Sequence, residues 1–366
     1  MSRQSELAEL GRVYATAPLS NRNLIINGAM QVAQRGTSSS SQGHHTLDRF
    51  QATSDATYTT AVITQEQAAD GPDGFTNSYK ITVGTTEASG AGKYFYVQHK
   101  SIEAQNLQHL AFGSSAAKKI TLSFWVKSSV TGTYTMSAFR HDAQRIYPKT
   151  YTIDAASTWE YKTITMDGDT SGTIANDNGR GIDLYFVLSA GSNYNTGTDD
   201  QWAAYVTTNF AANHAADVLG TTSATWQITG VQLEVGDTAT PFEHRSYGDE
   251  LARCQRYFQV LTDSHHVHRG ATGTAYSTAA LQSNFNLHQT MRANPTMSND
   301  TGGATVTSQG RNSSYGTTAN YELRPYPRGN SEWYYAYLAA DNSSATLPTA
   351  TWFLITQEGA YADAEL

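Results

Sequence analysis

The alternation of apolar and polar residues predicts short strands along most of this 366-residue chain. In residues 120–126 (ITLSFWV) every second side chain is large and apolar, which is the period-two pattern of a strand with one face in a core. The pattern resumes at residues 134–138 after a turn at Gly132, so these two strands are expected to form a hairpin. Residues 182–188 repeat the alternation.

Turns rich in Gly, Asn, Asp and Ser separate these strands, which indicates an all-β fold. Charged residues make up 15% of the chain, and its 29 glycines and 22 tyrosines are typical of short strands and many turns. We expect a jelly-roll β-sandwich over residues 23–245, a connecting helix within 246–260 and a second, smaller β-domain over 261–366. A short helix is predicted within the N-terminal segment, residues 1–22.

The apolar side chains of that N-terminal helix are Leu7, Leu10, Val13 and Tyr14, which recur at helical spacing. A helix of about ten residues is marginal in water on its own, so this apolar stripe needs a partner surface. The segment is either a docking or trimerising peptide or a cap on the adjacent sandwich.

Strand alternation fades over residues 191–223, a connection long enough to suggest a binding or intersubunit element. Tyr194, Trp202 and Tyr205 lie there among Asn, Asp and Gln residues. A sugar-binding site uses this mixture, because aromatic rings contact the C–H faces of the sugar and polar neighbours form hydrogen bonds with its hydroxyls. An ordinary loop that is anchored by aromatic side chains has the same composition.

A second group of candidate glycan contacts is Trp333, Tyr335 and Tyr337, which share one face of a predicted strand. The side chains on the other face of this strand are also bulky. Whichever face is turned to the core, the opposite face still presents bulky or aromatic side chains. Either contact with a ligand or packing against a neighbouring subunit or domain accounts for this surface.

Composition excludes several classes of partner. A net charge of −8 without a cluster of basic residues argues against nucleic-acid binding. Cys254 is the single cysteine, so no intrachain disulfide forms, and synthesis in a reducing cytosol is expected. Residues 1–22 contain no signal peptide and no later run reaches the roughly 20 apolar residues of a membrane span, so neither secretion nor membrane insertion is predicted.

Catalytic chemistry receives no positive support from the sequence. Glycoside hydrolysis needs two carboxylates held about 5 to 10 Å apart. Asp167 with Asp169, and Asp199 with Asp200, are close in sequence but lie in turn contexts where Asp is common. No nucleophile elbow, zinc-protease helix, phosphate loop or dinucleotide fingerprint occurs. We therefore predict no catalytic residues, no cofactor and a protein that is not an enzyme.

Two distant segments carry a resemblance. Residues 23–36 (NLIINGAMQVAQRG) open the domain, and residues 226–236 (WQITGVQLEVG) with 240–258 (TPFEHRSYGDELARCQRYF) close it, so we expect its two ends to meet. In this combination the chain resembles a family of bacteriophage tail-fibre and related virion proteins. Residues 291–296 (MRANPT) and 363–366 (DAEL) extend the resemblance. The domain is also similar to the jelly-roll sandwiches of carbohydrate-binding modules.

The resemblance implies a virion protein made in the host cytoplasm. The first hypothesis is a homotrimeric tail fibre that adheres to a host-surface glycan and attaches to the virion through its N-terminal segment. The second is a capsid decoration or head-fibre protein, and the third is a surface-polysaccharide depolymerase. Tail or capsid proteins are the expected partners of the N-terminal segment.

The resemblance also bears on metals. Some phage fibres bind a transition metal at the trimer axis, and His266 and His268 have the His-x-His spacing for such a site, although a solvated polar loop fits this cluster too. Carbohydrate modules often hold calcium near the first strand, but Ala29 and Met30 stand where acidic and aromatic residues are frequent. No metal is predicted.

Overall fold

The computed structural model describes residues 21–54, 58–262, 272–277, 280–299, 305–310, 313–318, 322–323, 333–339, 351–356 and 360–365. The chain has two compact units, one that ends at Glu250 and one from Leu251 to Glu365. The fold is all-β with a jelly-roll sandwich, as the sequence predicts. The predicted N-terminal helix with Leu7, Leu10, Val13 and Tyr14 falls outside the described residues.

Two six-stranded antiparallel sheets form the sandwich of the first unit. The strands of the first sheet, called the open sheet below, are β1 (Ser38–Ser39), β3 (Val62–Ala68), β4 (Ser78–Thr85), β6 (Ile120–Ser128), β9 (Glu160–Met166) and β12 (Thr225–Val235). They lie in the order β1-β3-β4-β12-β6-β9.

The second sheet, called the covered sheet below, packs against the first through the core. Its strands are β2 (Phe50–Ser54), β5 (Tyr94–Glu103), β7 (Gly132–Arg140), β8 (Arg145–Ile153), β10 (Arg180–Ala190) and β11 (Ala203–Ala204). They lie in the order β11-β8-β7-β10-β5-β2.

The core lies between the two sheets and follows the predicted alternation. Ile120, Leu122, Phe124 and Val126 of β6 are all fully buried, as are the alternate residues of β10 over 182–188. Burial of each such side chain contributes about 1.5–3 kcal/mol relative to an exposed position. The period-two pattern therefore identified the inward faces correctly.

The predicted hairpin at Gly132 is wrong. Strand β6 pairs with β12 and β9, whereas β7 pairs with β8 and β10, so the chain crosses from the open sheet to the covered sheet at this turn. Alternation specifies which face of a strand is apolar, and both strands do point that face into the core. Alternation does not specify which strand lies next to which, and β6 and β7, which follow one another in sequence, do not pair.

The opening and closing segments of the domain meet, as predicted. The Leu24 amide donates to the Leu233 carbonyl (2.9 Å), and the Val231 amide donates to the Gly28 carbonyl (3.0 Å). The opening segment is irregular rather than a strand, because Asn27 has a positive φ of 62° and its side-chain oxygen accepts the Val32 amide. A Cβ at Gly28 would lie 2.2 Å from the Val231 oxygen, so this close approach requires glycine.

Charged residues after β12 hold the opening segment in place. Glu243 accepts the Asn23 amide (2.9 Å), and Glu250 accepts the Asn27 amide (2.6 Å). Arg245 donates to the Ile25 carbonyl at 3.0 Å. These contacts explain why the two sequence motifs occur together.

Short helices complete the described elements: the 3-10 helices η1 (Ala104–Leu110) and η2 (Thr207–Asn209), and the α-helices α1 (Ser192–Asn195) and α2 (Tyr247–Gln255). Helix α2 lies within the range predicted for the connecting helix, and Ser246 caps it by accepting the Asp249 amide (3.2 Å). It ends at Gln255, and the chain becomes a strand at Phe258.

The described residues of the second unit form two sheets. A three-stranded sheet has the order β13-β22-β16, with β13 (Phe258–Thr262), β16 (Thr296–Asn299) and β22 (Ala360–Asp363). A seven-stranded sheet consists of β14 (Thr272–Ser277), β15 (Ala280–Asn286), β17 (Thr305–Gly310), β18 (Ser313–Thr318), β19 (Glu322–Leu323), β20 (Trp333–Ala339) and β21 (Thr351–Thr356). Its order is β18-β17-β21-β14-β15-β20-β19.

The small sheet brings together motifs that are far apart in sequence. Asp363 of β22 lies opposite both Phe258 and Thr296 in the strand registers. Arg292 donates from Nε to the Ala364 carbonyl at 2.8 Å. Cys254 is fully buried in this unit. The MRANPT and DAEL motifs thus form one structural element.

Candidate functional site: an aromatic pocket on the covered sheet

The outer face of the covered sheet carries an unusual set of aromatic side chains. In β5, Phe95 is buried in the core, and Tyr94 and Tyr96 project to the opposite face by strand alternation. Tyr185 of β10 and Phe139 of β7 project to this outer face as well. Three neighbouring strands therefore place large rings outside the main core.

The irregular segment after β10 folds back over this face. The Ala211 amide donates to the Tyr194 carbonyl (2.9 Å), and the Ser137 hydroxyl donates to the Phe210 carbonyl (2.6 Å). The Phe210 side chain, 7% exposed, packs on the sheet with its ring centroid 5.3 Å from that of Tyr185. Residues 191–218 thus form a wall along one side of the outer face.

A cavity of about 370 Å³ lies between this wall and the sheet. This volume falls within the range of about 300–1,000 Å³ common for small-ligand sites. Seven of its eight lining residues are aromatic, and together they are called the aromatic pocket below: Tyr94, Tyr96, Phe139, Tyr185, Tyr194, Tyr205, Thr207 and Phe210.

The rings of the aromatic pocket hold one another in fixed orientations. Tyr94 and Tyr96 stack nearly parallel, at 11° and 5.7 Å between centroids. Tyr185 meets Tyr96 edge to face at 88° and 5.0 Å, and Tyr194 meets Tyr94 at 73° and 4.7 Å. Such contacts each contribute about 0.5–1.5 kcal/mol beyond area burial, so the pocket is preformed rather than collapsed.

Burial raises the pKa of Tyr96, Tyr185 and Tyr205, and the nearby Asp183 charge raises the pKa of Tyr96 and Tyr185 further. These phenols therefore remain protonated at neutral pH. A neutral phenol both donates and accepts hydrogen bonds. The pocket thus combines apolar ring faces with polar hydroxyls.

Beside the aromatic pocket lies a group of polar residues, called the polar edge below: Gln51, Gln98, His141, Arg180 and Asp183. Asp183 is fully buried at its centre. Its carboxylate accepts hydrogen bonds from Gln98 Nε2 (2.6 Å), the Ser101 amide (3.0 Å), His141 Nε2 (2.9 Å), the Tyr185 hydroxyl (2.9 Å) and Arg180 Nη2.

These donors determine the charge state of Asp183. Burial alone would raise the pKa of its carboxyl, but the hydrogen bond and charge of His141, together with Arg180, outweigh burial and lower the pKa to about 2. Asp183 is therefore ionised at neutral pH and saturated with donors. Its role is to orient the side chains around it.

The predicted glycan contacts of the first unit divide between two places. Tyr194 and Tyr205 line the aromatic pocket. Trp202 does not: its ring packs edge to face against Phe112 (5.8 Å) and Tyr147 (5.4 Å), and its Nε1 donates to the Asp167 carbonyl (2.7 Å). Trp202 therefore anchors the irregular segment to the sandwich.

Sequence reasoning missed the sheet residues of the pocket. The available signal was the Tyr-Phe-Tyr run at residues 94–96, which puts bulky rings on both faces of one strand. Tyr185 beside Phe186 is the same signal in β10.

Trp333, Tyr335 and Tyr337, the other predicted glycan contacts, lie on β20, where Tyr335 pairs with Asn284 of β15. Their ligand contact stays a prediction. His266 and His268 fall outside the described residues.

The sequence-adjacent carboxylates are held in ion pairs. Asp169 is buried and receives hydrogen bonds from Arg140 and Arg145. Lys149 lies 2.5 Å from Asp200, and Lys119 lies 2.7 Å from Asp167. These contacts give Asp167, Asp169 and Asp200 a structural use.

Among the residues that the structure describes, no three His, Cys, Asp or Glu side chains are grouped to hold a metal ion. No helix in the same described ranges has the length and apolar character needed to cross a membrane.

Comparison with known proteins gives remote structural neighbours. No family model matches the sequence, and no curated protein matches it. A tailspike protein 4 enzymatically active domain from bacteriophage CBA120 is 12% identical, with a TM-score of 0.32 over 58% of this chain and 21% of that one. The chain thus spans about a fifth of that tailspike domain.

Two carbohydrate-binding modules are also similar. The family 11 module of a Clostridium thermocellum cellulase is 12% identical, with a TM-score of 0.29 over 57% of this chain and 98% of the module. A family 4 module is 14% identical, with a TM-score of 0.29 over 58% of this chain and 99% of the module. These likenesses are remote, and the proposals below rest on this chain's own residues.

Proposed function

We propose that this chain is a non-enzymatic phage virion protein that binds a glycan on the host surface through the aromatic pocket. The observation that carries the proposal is the pocket itself, with seven aromatic residues around about 370 Å³ beside a buried, donor-saturated carboxylate.

This combination suits a sugar for physical reasons. A pyranose ring has an apolar C–H face that packs on aromatic rings, and hydroxyls around its rim that need hydrogen-bond partners. Rings such as Tyr96 and Tyr205 offer the apolar contact. The phenolic hydroxyls and the polar edge offer the hydrogen bonds. The ring-to-ring contacts also reduce the ordering cost of binding, since the site exists before the ligand arrives.

Binding without cleavage is favoured by the state of the carboxylates near the pocket. A general acid must release a proton near the operating pH. The pKa of Asp183 is about 2 and its oxygens already accept five hydrogen bonds, so it is poorly suited to that role. The depolymerase hypothesis would need a different pair of carboxylates.

The virion assignment is supported by the opening and closing motifs quoted above. In the first form of the proposal the chain is a homotrimeric tail fibre, and residues 1–22 attach it to tail proteins. Several copies on one particle would raise avidity even where each pocket binds weakly. A capsid decoration or head-fibre protein is the alternative location, and the partner of residues 1–22 distinguishes the two.

A microarray of bacterial lipopolysaccharides and capsular polysaccharides tests glycan binding. The full chain is expected to bind a subset of spots, and Tyr205→Ala to lose that signal. Tyr161→Ala is the matched control, because Tyr161 is 46% exposed on β9 of the open sheet. The proposal fails if the wild type binds no spot, or if Tyr205→Ala binds as well as Tyr161→Ala does.

Two further measurements test the finer parts of the proposal. Light scattering of the full chain should give about three times 39.8 kDa for a homotrimer, and a stable monomer would contradict the fibre. Incubation with the bound polysaccharide should release no reducing ends. Release would favour the depolymerase.

A further inference from the structure

We infer that the polar edge is a second subsite, which binds the unsubstituted hydroxyls of a neutral sugar next to the one in the aromatic pocket. The inference rests on the proposed function and names its ligand class: an oligosaccharide segment of neutral sugars with free hydroxyls. It follows from the direction of each hydrogen bond in the polar edge.

The first arm of the polar edge runs from Asp183 to Gln51. An ionised carboxylate only accepts hydrogen bonds, so Gln98 must donate to Asp183 through Nε2 (2.6 Å). The Oε1 of Gln98 then accepts from Gln51 Nε2 at 2.7 Å. This leaves the Oε1 of Gln51 as the acceptor at the end of the arm. Gln51 is half-buried on β2, so a ligand has access to it.

The second arm contains His141 and Arg180. His141 Nε2 lies 2.9 Å from the Asp183 carboxylate, which only accepts hydrogen bonds, so this nitrogen carries a proton and Nδ1 is the other polar atom of the ring. Phe139 fixes the ring by an edge-to-face contact at 4.6 Å. Arg180 donates to Asp183 through Nη2, and its side chain is 35% exposed, so a ligand has access to it.

The polar edge begins where the aromatic pocket ends. Gln98 lies opposite Tyr185 in the strand register and two residues from Tyr96 on the same face of β5. From Gln51 to His141 the polar edge crosses strands β2, β5, β10 and β7. At about 4.8 Å between neighbouring strands, this distance is about 14 Å along the sheet, which is longer than one sugar ring.

The arrangement selects for free hydroxyls. A hydroxyl both donates and accepts, so it satisfies an acceptor such as Gln51 Oε1 and a donor such as Arg180 equally well. An O-acetylated position loses its donor and adds bulk. A sugar carboxylate would meet the Gln51 acceptor, and the Arg180 charge is already paired with Asp183.

The test uses the full chain and the polysaccharide that gives the strongest array signal. Gln51→Ala and His141→Ala should each weaken binding about three- to tenfold, the range expected for loss of one hydrogen bond. Gln108→Ala, an exposed glutamine on η1 outside both the wall and the polar edge, is the matched control and should bind as the wild type does. Chemical O-acetylation of the same polysaccharide should weaken binding of the wild type, which tests the inference without any variant.

The outcomes separate this inference from the proposed function. The second subsite is wrong if both variants bind the polysaccharide as the wild type does and the wild type binds the O-acetylated polysaccharide as tightly as the unmodified one. If Tyr205→Ala fails to bind in that case, the aromatic pocket stands. If Tyr205→Ala also binds normally, the proposed function itself fails.

Discussion

The two outer faces of the sandwich both carry aromatic side chains, yet they are built differently. On the open sheet, Trp125 and Tyr161 form a cross-strand pair 5.2 Å apart, and Tyr161 is 46% exposed. On the covered sheet, Tyr94, Tyr96 and Tyr185 lie beneath a wall formed by residues 191–218. A concave site on this sandwich therefore requires the folded-back segment, residues 191–218, in addition to the aromatic rings.

Covering a sheet face places polar groups out of water, so they need internal partners. Asp183 on the covered sheet accepts five hydrogen bonds, and His214 accepts the Thr135 amide at 3.1 Å. On the open sheet, Lys80 and Glu66 form a partly exposed ion pair at 2.8 Å. Stability should therefore depend strongly on residues of the covered face and weakly on those of the open face.

The largest expected difference concerns the wall. Phe210→Ala should destabilise the protein by about 3–5 kcal/mol, because it empties a buried aromatic position between the wall and the sheet. Tyr161→Ala on the open sheet should cost far less, since its ring is nearly half exposed. Chemical denaturation of both variants measures the difference, and equal losses would show that the wall is not packed as described.

A second effect concerns His214, a buried residue of the wall. Burial lowers the pKa of this imidazole from its ordinary value of 6.5 to about 4. Between these values the unfolded chain binds the proton that the folded chain excludes, so stability should fall as the pH drops from 6.5 towards 4, by about 3 kcal/mol in all. Denaturation at several pH values measures the slope.

His214→Asn supplies the control for that slope. The Oδ1 of asparagine takes the place of Nδ1, so it is able to accept the Thr135 amide, and it does not titrate. Between pH 6.5 and the range where carboxyls titrate, the free energy of unfolding of the variant should no longer depend on pH. An unchanged slope would mean that His214 is not the group responsible.

A smaller effect is expected on binding at the edge of the aromatic pocket. Tyr194→Ala should weaken polysaccharide binding about tenfold, or about 1.4 kcal/mol, by removing one aromatic contact from the wall. Tyr247→Ala replaces a tyrosine that is 57% exposed away from the pocket and should leave affinity unchanged. Titration calorimetry with the strongest array polysaccharide compares them, and equal affinities would remove Tyr194 from the site.

The smallest effect is expected on the open sheet. Lys80→Ala should change stability by no more than about 0.5 kcal/mol, because partly exposed ion pairs contribute little and salt screens them. A double-mutant cycle with Glu66→Ala measures the coupling. A coupling free energy above about 2 kcal/mol between Lys80 and Glu66 would contradict this expectation. It would show that a neighbouring subunit buries this face in solution.

The sequence pattern predicted the inward faces of the sandwich well, since burial imposes the period of two seen from Ile120 to Val126. It mispaired β6 and β7, because alternation is a local signal and strand partners are decided by the whole sandwich. Tyr194 and Trp202 were predicted together because long irregular segments often bind ligands. The structure places Tyr194 at the aromatic pocket and packs Trp202 against Phe112 and Tyr147, a difference that the sequence of the segment does not show.

The sheet side of the pocket could not be predicted for a related reason. Tyr96 and Tyr185 look like ordinary strand residues until the chain folds a wall over them, and Tyr96 contacts Phe210, which is more than a hundred positions away. Asp183 is likewise unremarkable in sequence, and its donors come from β5, β10 and the residue that follows β7.

The most direct test of the account is a crystal structure of the full chain bound to an oligosaccharide cut from the strongest array polysaccharide. The account predicts a sugar ring against Tyr96 and Tyr205, with a neighbouring unit within hydrogen-bond distance of Gln51 or His141. A sugar bound instead at Trp125 and Tyr161 on the open sheet would contradict it.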